Sequence, residues 1–124
     1  MSKAMNYPTL RTLGAALLLA AAPISASAAG NADAGAAAWV QLHPQTDGSP
    51  ERSCATCHGD NLTLPGQHAK TGKRIEPLAP SVNAKRLSDP RKVEKWLRRN
   101  CRWTLGRECS ATEKADFLAY IESQ

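Results

Sequence analysis

Five consecutive residues, Cys54-Ala55-Thr56-Cys57-His58, concentrate the reactive side chains of this chain. Two thiols at i and i+3 with an imidazole next in sequence form the attachment pattern of a c-type haem. Each thiol adds to one haem vinyl group, so two thioether bonds clamp one edge of the ring. The following histidine then comes under the ring, where its imidazole can ligate the iron. Two other uses of such a cysteine pair compete. A zinc site needs a second ligand pair at matching spacing, and Cys101 and Cys109 stand too far apart to make one. A thioredoxin-like redox pair sits in a βαβ pattern, and none is visible here. Cys54 and Cys57 as covalent anchors and His58 as the proximal iron ligand are therefore the expectation. One haem c is expected, because neither remaining cysteine lies in a second CxxCH.

The chain begins as an exported protein does. Met1 to Arg11 carries Lys3 and Arg11 and no acid, Leu13 to Ala22 is an apolar run, Pro23 breaks it, and Ala26-Ser27-Ala28 offers an A-x-A cleavage site. Residues 1–28 read as a secretory signal peptide, with 29–124 as one small domain in the periplasm. A spanning helix needs about 20 apolar residues, and this run is shorter, so no membrane span is expected after cleavage.

Removing the leader changes the charge and the ligand inventory. The full chain has 16 Lys+Arg against 11 Asp+Glu. Losing Lys3 and Arg11 leaves fourteen against eleven, a net of +3, much of which two haem propionates would offset. That balance favours a solvated surface over nucleic-acid binding. The cations do cluster, in Lys85, Arg86, Arg91, Lys92, Lys95, Arg98, Arg99 and Arg102, and such a face could steer an acidic redox partner. Both methionines, Met1 and Met5, leave with the leader. The His/Met ligation that keeps a small carrier's potential high is thus impossible. His43, His68, a lysine, an asparagine or nothing remain for the far side of the iron.

Helical signals surround the motif. Asn31 to Leu42 is Ala-rich with Trp39 and Val40, capped by Asn31 or Asp33 and ended before His43-Pro44. Gln45 to Glu51 is a loop, and the motif follows on a short helical turn. Gly59 to Pro80 reads as a long loop, of the kind that is usually functional in a compact domain, wrapping the haem edge through Ile75, Pro77 and Leu78. Ser88-Asp89-Pro90 opens a second helix, with the acid as cap and proline at the first position. Val93, Trp96 and Leu97 share one face, with Trp96 expected against the haem or the first helix. This helix is expected to run out at Arg99-Asn100-Cys101. Ser110-Ala111-Thr112-Glu113 is a capping box that starts a last helix with Ala115, Leu118 and Ile121 inward and Phe117 and Tyr120 beside them. In an oxidising compartment the leftover Cys101 and Cys109 read as a disulfide, the alternative being two free buried thiols.

The run from Arg91 to Cys109, with Val93-Glu94-Lys95-Trp96-Leu97, Arg99-Asn100-Cys101 and Gly106-Arg107-Glu108-Cys109, resembles the sphaeroides haem protein family. So do Thr71-Gly72-Lys73 and Ile75 to Ser81, and the likeness extends from Ser53 to Ile121. The resemblance implies an all-α, class I cytochrome c-like fold with helices around one covalent haem. It implies His58 and Asn100 as the ligands of the oxidised iron, with Asn100 just before the Cys101–Cys109 disulfide. It also implies that the ferrous form releases the asparagine and binds O2 or NO, and that a dihaem cytochrome c donates the electrons. Ligand softness agrees, since an amide suits ferrous iron less well than thioether or imidazole. The loop Gln67-His68-Ala69-Lys70 departs from the family pattern by one extra residue, and His68 is new there. His68 could compete as sixth ligand, donate a hydrogen bond to a bound diatomic, or be an exposed loop residue; His43 is expected at the surface.

The resulting expectation is a periplasmic monohaem cytochrome c with a labile Asn ligand that takes up electrons and binds O2 or NO. A plain electron carrier, bis-His or Asn-ligated, and an NO or redox sensor are the alternatives. No acid–base constellation for a larger substrate is visible.

Overall fold

The computed structural model describes Met1 and residues 29–124; beyond Met1, the expected signal peptide lies outside the described residues. Helix α1 (Ala32–Val40) starts at Asn31, whose side chain accepts from the N–H groups of Asp33 and Ala34. Helix α2 (Ala55–His58) is a single turn carrying the CxxCH motif. A two-residue antiparallel ladder follows, β1 (Gly66–Gln67) on β2 (Arg74–Ile75), with Gly66 opposite Ile75 and Gln67 opposite Arg74. Helix α3 (Pro90–Leu105) is capped by Asp89 with proline in its first turn. Helix α4 (Ala111–Glu122) begins with the Ser110–Glu113 capping box, both reciprocal bonds being present. The architecture is all-α, as expected. Among the described residues no helix is long and apolar enough to cross a membrane.

A nine-residue helix such as α1 is marginal alone, so its stability comes from docking, and α1 docks on α4. Gly30 and Gly35 make this possible. A Cβ on Gly30 would collide with the backbone of Ala115, and one on Gly35 with the carbonyl of Asp116. The seam is fastened by Asn31 N–H donating to Asp116 Oδ1 at 2.7 Å. Trp39 fills it, lying edge-on to Phe117 and tilted against Tyr120 with ring centroids 6.2 and 5.7 Å away. Trp39, Phe117 and Ile121 join Leu62, Ala79, Cys101 and Cys109 in the core. Ala115 and Leu118 are only half-buried. The long loop reaches the core through Leu62, which is fully buried and whose carbonyl accepts from Ala79 N–H at 2.9 Å.

Two sequence expectations need correction. Helix α3 does not end at Asn100 but runs to Leu105. Residues 101–105 contain no breaker, and the stop is Gly106, in the left-handed region at φ 73° with its N–H on the Arg102 carbonyl, the usual glycine termination of a helix. Asn100 is therefore an interior helical residue and is exposed. Of the two partners expected for Trp96, helix α1 is not one: Trp96 is 51% exposed, while Val93 and Leu97 on the same side are half-buried.

Candidate haem site

The site is built from two walls. The first positions the attachment motif. Ser53 is buried, and its N–H donates to Thr56 Oγ1 at 2.9 Å, which closes the turn bearing both thiols. Trp39 Nε1 donates to the carbonyl of Gly59 at 2.8 Å, and Tyr120 Oη donates to that of Asp60 at 3.1 Å. Helices α1 and α4 thus hold the two residues that follow His58. The Trp39 ring lies 5.7 Å from the His58 ring, tilted by 44°. Gly66 brings the loop onto the motif so closely that a Cβ there would strike the Cys57 carbonyl.

Burial pushes the His58 imidazole down to about 4, with the Arg86 charge acting in the same direction. The ring is neutral at ordinary pH, the form that ligates a metal. Cys54 and Cys57 are unbridged, whereas Cys101 and Cys109 form a disulfide. Burial pushes the Cys54 thiol up to about 11, a sign of the apolar setting in which a haem edge would lie. Two free thiols and a neutral imidazole on one helical turn suit the donor set of a covalently held haem.

The second wall is α3. Its helical rows separate by chemistry. Leu97, Cys101 and Thr104 lie toward the core, with Cys101 and Thr104 buried. Trp96, Asn100 and Trp103, at i, i+4 and i+7, form the adjoining band. The Asn100 side chain makes no hydrogen bond among the described residues. Arg91, Lys95, Arg98 and Arg102 form a third, cationic row. Lys114 donates to Glu94 Oε1 at 2.7 Å and ties α3 to α4.

The segment that leads into the motif joins the walls. His43 and Arg52 exchange backbone hydrogen bonds of 2.7 and 3.1 Å. Arg52 then donates through Nη1 to the Trp103 carbonyl at 3.1 Å, and its guanidinium lies 4.1 Å over the Trp103 ring. Gln45 Nε2 donates to the Thr104 carbonyl at 3.1 Å. The structure thus gathers Cys57 and His58 on α2 with Cys54 at its N-cap, carries Asn100 on α3, and links the two through Arg52 and Gln45. His43 is half-buried in this link and is not simply a surface residue. His68 is also half-buried, its ring 6.1 Å from Trp103.

The sequence has known counterparts. A domain family described as being of unknown function, DUF1924, matches residues 25–121. The cytochrome c-type protein SHP of Cereibacter sphaeroides is 46% identical over 110 residues, covering 88% of this chain and 83% of that protein. The chain belongs to this SHP family of c-type cytochromes. Its fold agrees with that of oxidised SHP, an oxygen-binding cytochrome c, at a TM-score of 0.69 and 44% identity over 77% of this chain and 83% of that one. Oxidised cytochrome c'' of Methylophilus methylotrophus superposes with a TM-score of 0.70 at 38% identity, over 77% of each chain. As a family member the chain is a monohaem cytochrome with covalently attached haem c.

Several site residues escaped the sequence reading. Arg52, Gln45 and Trp103 were invisible because their partners lie 51 or more positions away or, for Trp103, because the helix was expected to stop before it. The i+3 spacing from Asn100 to Trp103 would have signalled a shared face had α3 been extended to Gly106. Arg86, counted among the surface cations, instead donates to the carbonyls of Pro77 at 2.9 Å and Glu76 at 2.7 Å and fixes the strap after β2.

Proposed function

We propose that this chain is a periplasmic cytochrome c that accepts single electrons from a protein partner and binds a diatomic, O2 or NO, opposite His58. Haem c, when bound, supplies a one-electron couple and a coordination position for a small ligand. Cys54 and Cys57 would anchor the haem covalently, and His58 would supply an imidazole to its iron. Asn100 would be the ligand offered to ferric iron from α3, and its hard amide donor would suit the softer ferrous ion poorly.

The carrying observation is Asn100 itself. Its unengaged amide stands between two tryptophans on an exposed face of α3, in a chain that has no methionine beyond position 5. The oxygen binding of SHP and the haem-ligand detachment studied in cytochrome c'' lend support. Electron delivery is served by the cationic row. Arg91, Lys92, Lys95, Arg98 and Arg99 form no ion pair among the described residues. Such a face suits an acidic docking surface, as on a dihaem cytochrome c donor, and steers encounter in a salt-dependent way.

The test is Asn100→Ala in the periplasmically matured protein. Its ferric spectrum should change to that of an open or water-ligated iron, while the ferrous protein still binds CO and NO. A ferric spectrum identical to wild type would remove Asn100 from the iron. A ferrous wild type whose spectrum ignores CO and NO would reduce the protein to a closed carrier.

A further inference from the structure

His68 sits in the turn that joins β1 (Gly66–Gln67) to β2 (Arg74–Ile75). Its neighbour Ala69 donates its N–H to Cys57 Sγ at 3.3 Å, and its ring lies against Trp103, one turn beyond Asn100. Cys57 and His68 line a common surface depression of about 450 Å³. His58, by contrast, rests against Trp39 on the other wall. The loop therefore brings a second imidazole against Trp103, on the helix that carries Asn100.

The hydrogen bonds of this imidazole decide what it can do. His68 Nδ1 accepts from Thr71 N–H at 3.1 Å and from Lys70 N–H at 3.3 Å. The backbone fixes the same turn independently, through His68 N–H on the Lys73 carbonyl and Gly72 N–H on the His68 carbonyl, both at 2.8 Å. With Nδ1 used as an acceptor, the neutral ring carries its proton on Nε2. A histidine that ligates a metal has the opposite polarity: one nitrogen binds the metal and the other donates its N–H to an acceptor. For Nε2 to bind iron, Nδ1 would have to carry the proton and face two N–H donors.

We propose that His68 acts as a hydrogen-bond donor, through Nε2–H, to the diatomic held opposite His58, and that it is not an iron ligand. The inference rests on the ligand-binding reading above. A directed donor distinguishes among diatomics, because O2 draws more negative charge onto its outer atom than CO does, and the donors of a distal pocket govern O2 binding. His68 would thus set the preference of this site for O2 over CO.

The decisive variant is His68→Asn. An asparagine oxygen can accept the same two backbone N–H groups in an Asx-type turn but offers no Nε2–H. In the holoprotein, ferric spectra, melting temperature, and O2 and CO dissociation rates are compared for wild type, His68→Asn and His68→Ala. His68→Asn should keep the melting temperature and ferric spectrum, release O2 about tenfold faster, as expected for loss of one ordinary hydrogen bond, and release CO within about twofold of wild type. His68→Ala should show the same rates and also melt lower. Unchanged O2 release in His68→Asn would make His68 a turn residue only. A shifted ferric spectrum in both variants would make it an iron ligand. CO uptake by the wild type separates the two levels of failure: without uptake the ligand-binding reading falls and takes this one with it, whereas normal uptake with unmoved O2 release sinks only the role of His68.

Discussion

Replacing Gly35 with alanine tests whether the α1–α4 seam governs the haem ligand. A Cβ at position 35 would lie inside the van der Waals envelope of the Asp116 carbonyl and 2.9 Å from Tyr120 Cβ. The Asp116 carbonyl is backbone and cannot rotate aside, so the helices must separate. Overpacking a tight contact costs about 1–3 kcal/mol, and an obstruction by backbone points to the upper end, about 3 kcal/mol. Alanine offsets about 1 kcal/mol of this through its better helix propensity. The net loss of about 2 kcal/mol corresponds to a fall in melting temperature of about 8–16 °C for a domain of this size. The displacement also pulls Trp39, one turn along α1, away from the Gly59 carbonyl and the His58 ring. Thermal unfolding of the holoprotein and its ferric spectrum report the two effects. The exposed Ala37→Gly change in the same helix is the control. It should cost about 1 kcal/mol through propensity alone and leave the spectrum untouched. A Gly35→Ala protein that melts at or above the wild-type temperature would refute the packing account, since propensity would then have outweighed the clash.

Two further outcomes are expected. Changing Cys101 and Cys109 together to Ser opens a loop of eight-residue separation, which should lower stability by about 2–3 kcal/mol in the chain-entropy treatment while haem stays attached; because Cys101 adjoins Asn100, the ferric spectrum should also loosen, and thiols that titrate in the native wild type would sink the disulfide. The pH dependence of melting should expose Glu113, whose carboxyl is held down at about 2 chiefly by its hydrogen bonds with Arg107, each 2.8 Å, and then by the Ser110 N–H. A lowered native value makes this stabilisation complete above the unfolded value of 4.5 and lost as pH falls from there toward 2; screening at this partly exposed pair limits it to about 1 kcal/mol, and Glu113→Gln should remove that part of the acid slope, which calorimetry between pH 5 and 2 would check.

What could be read in advance follows the reach of each interaction. The three caps, at Asn31, Asp89 and Ser110, are side-chain bonds to backbone two or three residues on, so the sequence states them almost directly. The CxxCH turn is equally local, since two thiols and an imidazole within five residues need one helical turn to act together. The end of α3 was misjudged because Asn100-Cys101 looks like a stop, while the residue that actually terminates the helix, Gly106, lies beyond the cysteine. The long-range contacts of both walls were less legible still. Arg52 reaches Trp103 across 51 residues and Trp39 reaches Gly59 across 20, and no local pattern records such pairings. His68 shows the consequence for function. Its sequence position favoured an exposed loop residue and left ligand and donor as the alternatives, because all three are roles of one imidazole. The backbone of residues 70 and 71 argues against the ligand role by presenting two N–H groups to Nδ1. The turn over residues 68–71, and not the side chain alone, thus sets which nitrogen of His68 carries the proton.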